Sequence, residues 1–239
     1  MMIKNMTYIQ VVSAIMLLWL IIPFGRKQTL DTAQIKKIIH DHRKIYPQVY
    51  ALKPGDVNIQ QIPKLQYVSQ QMNTAFHMNW AGHPEPIDEQ WIVVKIANQL
   101  KQITKNTLGY QFKLMPHEII WHGLNECNQN SVTYKMQVPN CITLTMYEEA
   151  RAKVERNLRG KVIPETKFIG VDSILCAQKL HVGHYRDTKL TYQEIESYTG
   201  EQGYRIKGDR KEIYLTPAME CHHPETWKTV VSVEIEQLN

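Results

Sequence analysis

The sequence predicts an α+β protein built as an N-terminal transmembrane helix, a helical stalk, and a helix-plus-antiparallel-sheet domain. Three observations carry this expectation. An uncharged apolar run, Tyr8 to Phe24, lies near the N-terminus. Helical periodicity dominates the chain up to Gly109, and period-two alternation dominates after it. Because strands do not alternate regularly with long helices, the pattern favours α+β over a parallel α/β sheet. The expected division is a membrane anchor over residues 1–25, a basic amphipathic stalk and linker over 26–63, and an α+β domain over 64–239.

The anchor follows from length and charge. About 20 residues of helix cross a hydrocarbon core of about 30 Å. From Asn5 to Gly25 there is no charged residue, and Gln10 and Ser13 are uncharged polar residues that a helix tolerates. Pro23 ends the run and Arg26-Lys27 follow at headgroup level. A cleaved leader would need a small-x-small site, whereas the chain continues Gly25-Arg26-Lys27-Gln28. Only Lys4 precedes the run, whereas Arg26, Lys27, Lys36, Lys37, Arg43 and Lys44 follow it. The positive-inside rule then places the domain on the cytoplasmic face.

Behind the anchor, Asp31 to Tyr46 reads as an amphipathic helix with Ile35, Ile38, Ile39 and Ile45 on one stripe. Pro47, Pro54-Gly55-Asp56 and Pro63 mark a linker. Leu65, Val68, Met72 and Phe76 suggest a short helix over Lys64 to Met78. The clearest helix runs from the N-cap Asp88 to the C-terminal Gly109, with Trp91, Val94, Ile96, Ala97, Leu100 and Ile103 on its apolar face. A meander of strands follows, with segments at Tyr110–Leu114, Glu118–His122, Ser131–Val138 and Cys141–Met146. A charged helix, Tyr147 to Leu158, comes next. Further strands are expected at Lys167–Val171, Ser173–Leu180, Tyr204–Lys207, Glu212–Thr216 and Thr229–Ile235, with a short helix over Thr191–Tyr198 and a hairpin tip at Asp209-Arg210. No internal repeat is visible.

Composition narrows the function classes. The chain is 43% hydrophobic and 21% charged, which suits a folded core. A net charge of +5 without a concentrated basic stripe gives no reason to expect nucleic acid as a partner. The four cysteines, Cys127, Cys141, Cys176 and Cys221, form no C-x-x-C pair. They permit two disulfides or four free thiols.

Candidate site residues are scattered. His181 and His184, with Cys221 and His222-His223, offer zinc-type ligands but no fixed ligand geometry. Cys176 with His181 or His184 is conceivable as a thiol–imidazole pair, yet Ile174-Leu175-Cys176-Ala177 reads as a core strand. His40-Asp41-His42 reads as a solvated face of the stalk. Glu118, Glu126 and Asp172 are available carboxylates with nothing to single them out. Trp80, Trp121 and Trp227 are candidate interface aromatics, with core packing as the plainer reading. No nucleotide loop, nucleophile elbow or H-E-x-x-H motif is present. Accordingly no catalytic, cofactor-binding or metal-binding residue is assigned, and no cofactor is expected.

The function expected on these grounds is a membrane-anchored structural or scaffolding subunit of a larger assembly: a secretion complex, a viral envelope or capsid layer, or an organellar membrane complex. Its partners would be the lipid bilayer, through Tyr8 to Phe24, and other proteins. The alternative is a membrane-tethered hydrolase or metal-dependent enzyme using the His/Cys-containing C-terminal region.

Overall fold

A computed structural model describes residues 38–74, 87–124, 130–159, 163–216 and 223–238. The elements, in chain order, are β1 (Ile39–His40), α1 (His42–Ile45), α2 (Pro47–Tyr50), β2 (Asn58–Ile62), β3 (Leu65–Thr74), α3 (Ile87–Leu108), β4 (Gln111–Phe112), β5 (His117–Leu124), β6 (Asn130–Val138), α4 (Leu144–Asn157), β7 (Lys167–Val171), β8 (Ile174–Val182), α5 (Thr188–Glu201), β9 (Tyr204–Ile206), β10 (Arg210–Tyr214) and β11 (Lys228–Gln237).

Nine strands form one antiparallel sheet in the order β2-β8-β11-β10-β5-β6-β3-β7, with β9 added against β11. The order is symmetric about the β10–β5 seam. Each half runs strand, strand, helix, short strand, strand, strand: β2-β3-α3-β4-β5-β6, then β7-β8-α5-β9-β10-β11. The leading strand of each half crosses to the other half, so β2 pairs with β8 and β7 pairs with β3.

This crossing forces the sheet to curl. Only Pro63 and Lys64 separate β2 from β3, yet the two strands stand near opposite ends of the order. Likewise only Asp172 and Ser173 separate β7 from β8. Such short links span a few ångströms per residue, so the two edges must approach each other. At the corner Ser173 Oγ donates to the Ile62 carbonyl at 2.8 Å and accepts from Gln61 Nε2 at 2.9 Å. Lys64 and Asp172 pair at 2.7 Å. The result is a half-barrel with a convex and a concave face.

Helices cover the convex face. On α3, Ile92, Val93, Ile96, Ala97, Leu100 and Ile103 are buried at helical spacing against Val68, Ile119 and Tyr134 of the sheet. On α5, Ile195 packs with Ala177, Val231 and Val233. Burying each such side chain contributes about 1.5–3 kcal/mol, which holds the helices to the sheet. Gly109 ends α3 at φ +64°, a conformation that favours glycine.

Several expectations are corrected here. The stalk is not a helix through Tyr46: Ile39–His40 pairs in parallel with β4, and only His42–Ile45 and Pro47–Tyr50 are helical. The predicted linker contributes β2 to the sheet. Lys64 onward is the strand β3, not a helix. It is buried on both faces, so it lacks the alternation that marks a half-exposed strand. Leu144 to Met146 begins α4 instead of ending a strand, because the Thr143 hydroxyl caps the helix by accepting from the Met146 N–H at 3.3 Å. Asp209-Arg210 is not a hairpin tip, since β9 pairs with β11 and not with β10. The internal repeat that the sequence hides is visible in the strand order.

The fold class is corrected as well. Among the described residues no helix is long and apolar enough to cross a membrane. The fold is an α+β domain with a curled antiparallel half-barrel sheet, in place of a membrane helix, stalk and domain. The single-pass membrane assignment, and the cytoplasmic face derived from it, are withdrawn with that architecture. The expected span Tyr8–Phe24 lies outside the described residues.

Candidate ligand pocket on the concave face of the sheet

Because side chains alternate along a strand, one parity of each strand faces the helices and the other faces the concave side. The concave side holds a cavity of about 270 Å³. That is near the lower end of drug-sized pockets, about 300 Å³, so it suits a small ligand. Its walls are mainly apolar: Ile62, Leu65, Ile120, Ile169, Val171 and Ile174. Lys135, Lys211, Tyr67, Cys176 and Ser232 add polar groups, and His122, Asp209 and Glu234 complete the lining.

Behind the wall sits a buried ion pair. Glu118 on β5 faces Lys135 on β6 by register, and Lys135 Nζ lies 3.5 Å from Glu118 Oε2. Glu118 is 0% exposed and Lys135 4%. Tyr50 of α2 donates its hydroxyl to Glu118 Oε1 at 3.2 Å. The Lys135 ammonium also stands 4.0 Å from the centre of the Tyr67 ring, a cation–π contact. Glu118 itself does not line the cavity; Lys135 and Tyr67 stand between it and the open space.

The electrostatics follow from burial. Desolvation lowers the Lys135 pKa to about 8, nearby Lys211 adds repulsion, and Glu118 opposes both. A lysine in this range exchanges its proton near neutral pH, as an ordinary lysine does not. Burial, reinforced by the Glu118 charge, raises Tyr50 and Tyr67 well above the usual phenol range, so both stay neutral donors. Burial also pushes the Cys176 thiol up, with Lys211 opposing. Cys176 is therefore a protonated core thiol, not an activated nucleophile.

The inner end of the concave face is filled by the segment from α1 to α2. Val49 and Tyr50 are buried there. Gln137 Nε2 lies 3.2 Å from His42 Nδ1, and His42 Nε2 lies 2.9 Å from the Tyr110 hydroxyl. With Nδ1 accepting, Nε2 carries the ring proton. Desolvation holds the His42 pKa down, which keeps the ring neutral in this network.

The residues singled out in the sequence fall in separate places. His181 Nδ1 is 2.9 Å from Thr191 Oγ1, and its Nε2 is 3.0 Å from the His184 carbonyl. Both nitrogens are thus engaged. Cys176 and His181 project from opposite faces of β8, so no thiol–imidazole pair forms. Among the described residues no cluster of His, Cys, Asp or Glu has metal-binding geometry. Cys141 and Cys176 are free thiols. Glu126, His222, Cys127, Cys221 and Trp80 lie outside the described residues. Asp172 is an exposed corner residue paired with Lys64.

The stalk triad is also not a solvated face. Asp41 caps α1 and is paired with Arg43 at 2.7 Å, while His40 stacks on Tyr110 at 4.2 Å. Trp227 stacks on Tyr185 at 5.1 Å, and Trp121 lies beside Arg210.

Of the carboxylates considered in the sequence, Glu118 lies nearest the pocket, behind Lys135 and Tyr67. Lys135 was missed. In Val132-Thr133-Tyr134-Lys135-Met136 it sits on the polar side of an alternating strand, which ordinarily faces water. The available signal was Glu118 inside the apolar strand Glu118-Ile119-Ile120, a carboxylate that needs a buried partner.

No family model matches the sequence, and no curated protein matches it. Among solved structures, a hydrolase from Listeria innocua superposes with a TM-score of 0.69 at 19% identity, covering 83% of this chain and 100% of its own. A second Listeria innocua hydrolase gives 0.68 at 18% identity with the same coverage. An uncharacterized conserved protein of Listeria innocua gives 0.68 at 20% identity, also covering 83% of this chain and 100% of its own. At these identities the likeness establishes the fold. The expectation of a membrane-anchored scaffolding subunit, which rested on the apolar run, the basic stalk and the lack of a catalytic signature, is overturned: the chain shares the fold of two hydrolases, and its sheet curls around a cavity that Lys135 lines.

Proposed function

We propose that this chain binds a small, largely apolar molecule in the concave pocket and hydrolyses it. The observation that carries this reading is the buried Glu118–Lys135 pair, with Lys135 lining the cavity and its pKa lowered to about 8. The Listeria hydrolases of the same fold support hydrolysis as the reaction class by analogy.

In this reading Lys135 is the proton-transfer group. The oxygen of water bonds to the electrophilic carbon of the substrate, and its proton passes to the neutral Lys135 amine. The bond to the leaving group breaks, and the leaving group takes the proton back from the Lys135 ammonium. Glu118 is a positioning residue: it fixes Lys135 and raises its proton affinity. Tyr50 and Tyr67 hold Glu118 in place. The apolar walls select the substrate body and exclude bulk water.

The test is kcat/KM against pH on a panel of short activated esters and strained cyclic ethers, for the native chain, Lys135→Met and Glu118→Gln. The rate is expected to rise through an inflexion near pH 8, the value set by Lys135. Lys135→Met is expected to lose about a hundredfold or more. Glu118→Gln removes the charge that favours the ammonium, so its inflexion moves to lower pH. Full activity in folded Lys135→Met, or no turnover across the panel, would overturn the proposal.

A further inference from the structure

Around the cavity each described carboxylate already has a basic partner. Glu118 has Lys135 at 3.5 Å, Asp209 has His122 at 2.6 Å, and Glu234 has Lys207 at 3.2 Å. Lys211 has none: among the described residues no carboxylate lies within ion-pair distance of it. It is 8% exposed, lines the cavity, and stands close enough to Lys135 to depress that lysine's pKa. A buried ammonium without a counter-ion is costly, and the cost is relieved when an anion enters beside it.

A hydrogen-bond relay prepares the neighbouring donor. By register Lys211 faces Ser232 across β10 and β11. Gln60 Nε2 donates to Gln178 Oε1 at 2.8 Å, and Gln178 Nε2 donates to Ser232 Oγ at 3.2 Å. The direction of the relay fills a lone pair of Ser232, and its O–H, beside the Cys176 thiol, is available to a stronger acceptor than that sulfur. Ser232 is fully buried and lines the same cavity. An ammonium and a hydroxyl proton side by side in an apolar pocket match a carboxylate group.

We propose that the pocket recognises an organic acid: a carboxylate seated on Lys211 and Ser232, with its apolar body against Ile120, Ile169 and Val171. The inference rests on the concave cavity being a ligand site, and it adds the charge of the ligand. It also predicts linkage, since an anion beside Lys211 screens the repulsion on Lys135 and raises the Lys135 pKa.

The test is calorimetric titration of the protein at neutral pH with octanoate, octanamide and octylammonium, three probes of one chain length and three charges. Octanoate is expected to bind about tenfold or more tightly than octanamide, the value of one charge-assisted hydrogen bond. Lys211→Met is expected to remove that advantage, and the octanamide binding that remains shows that the variant is folded. Equal affinity for octanoate and octanamide, preference for octylammonium, or undiminished octanoate binding by Lys211→Met would each overturn the proposal while the cavity remains a ligand site. Failure of all three probes to bind at millimolar concentration would overturn the cavity reading as well.

Discussion

The two halves of the sheet repeat one architecture and carry opposite electrostatics. In the first half, β5 and β6 set Glu118 opposite Lys135, and the cation is answered within the protein. In the second half, β10 and β11 set Lys211 opposite Ser232, and among the described residues no carboxylate answers it. The third strand of each half adds Tyr67 on one side and Cys176 on the other. One half therefore resembles a closed internal pair, and the other an open seat. The fold supplies the same scaffold twice, and the difference in chemistry lies in a few inward-facing side chains.

The largest effect expected from breaking this comparison is on stability. Lys135→Met leaves Glu118 buried and unpaired and should destabilise the protein by about 3–5 kcal/mol in urea unfolding. Replacing both members, as Lys135→Met with Glu118→Leu, should recover most of that loss, because an apolar pair needs no desolvated charge. The same Lys→Met change at Lys211 should go the other way and leave ligand-free stability equal or raised. If Lys211→Met destabilised as much as Lys135→Met, the two halves would not differ as described.

The seam between the halves gives the next effect. His117 stacks on Tyr134 at 5.7 Å and on Tyr214 at 4.9 Å, joining β5 to strands of both halves. Burial lowers its pKa from 6.5 to about 4. The unfolded chain therefore binds the proton first as pH falls, and stability declines from pH 6.5 downward until the folded ring also titrates near pH 4. The full contribution is about 3 kcal/mol, from the size of the shift. His117→Phe keeps the stack and should flatten this part of the stability–pH curve.

A smaller change is expected at the mouth of the pocket. A Cβ on Gly208 would stand 3.3 Å from the Cβ of Glu234. Gly208→Ala should then cost about 1 kcal/mol and weaken ligand binding by narrowing the opening, whereas ligand-free spectra stay native. The smallest effect belongs to the corner pair. Lys64 and Asp172 are mostly exposed, so Asp172→Asn should leave the melting temperature unchanged.

Parts of this architecture were legible in the sequence, and the reasons are local. The helix before Gly109 announced itself through its apolar stripe and its terminal glycine. The strand β6 was marked by alternation and by the turn residues before it. β3 was misread because Leu65 and Tyr67 face the pocket while Val68 and Gln70 face the helices, so both parities are buried. The repeat was illegible because the halves share strand order and not side chains. The pocket was illegible for a related reason: Glu118 and Lys135 meet only through the β5–β6 register, and Lys211 and Ser232 only through β10–β11. Glu118 stood among several carboxylates, and nothing in linear order separated it from Asp172 at the exposed corner.

Lys135, on the wall of the pocket, has an abnormal proton affinity set by burial and by Glu118. An NMR titration of the protein with lysine side chains isotopically labelled at Cε would follow the Lys135 signal in the native chain and in Glu118→Gln. Titration is expected near pH 8 in the native chain and at lower pH in the variant. Titration near the ordinary value of 10.5, or no response to loss of the Glu118 charge, would contradict it.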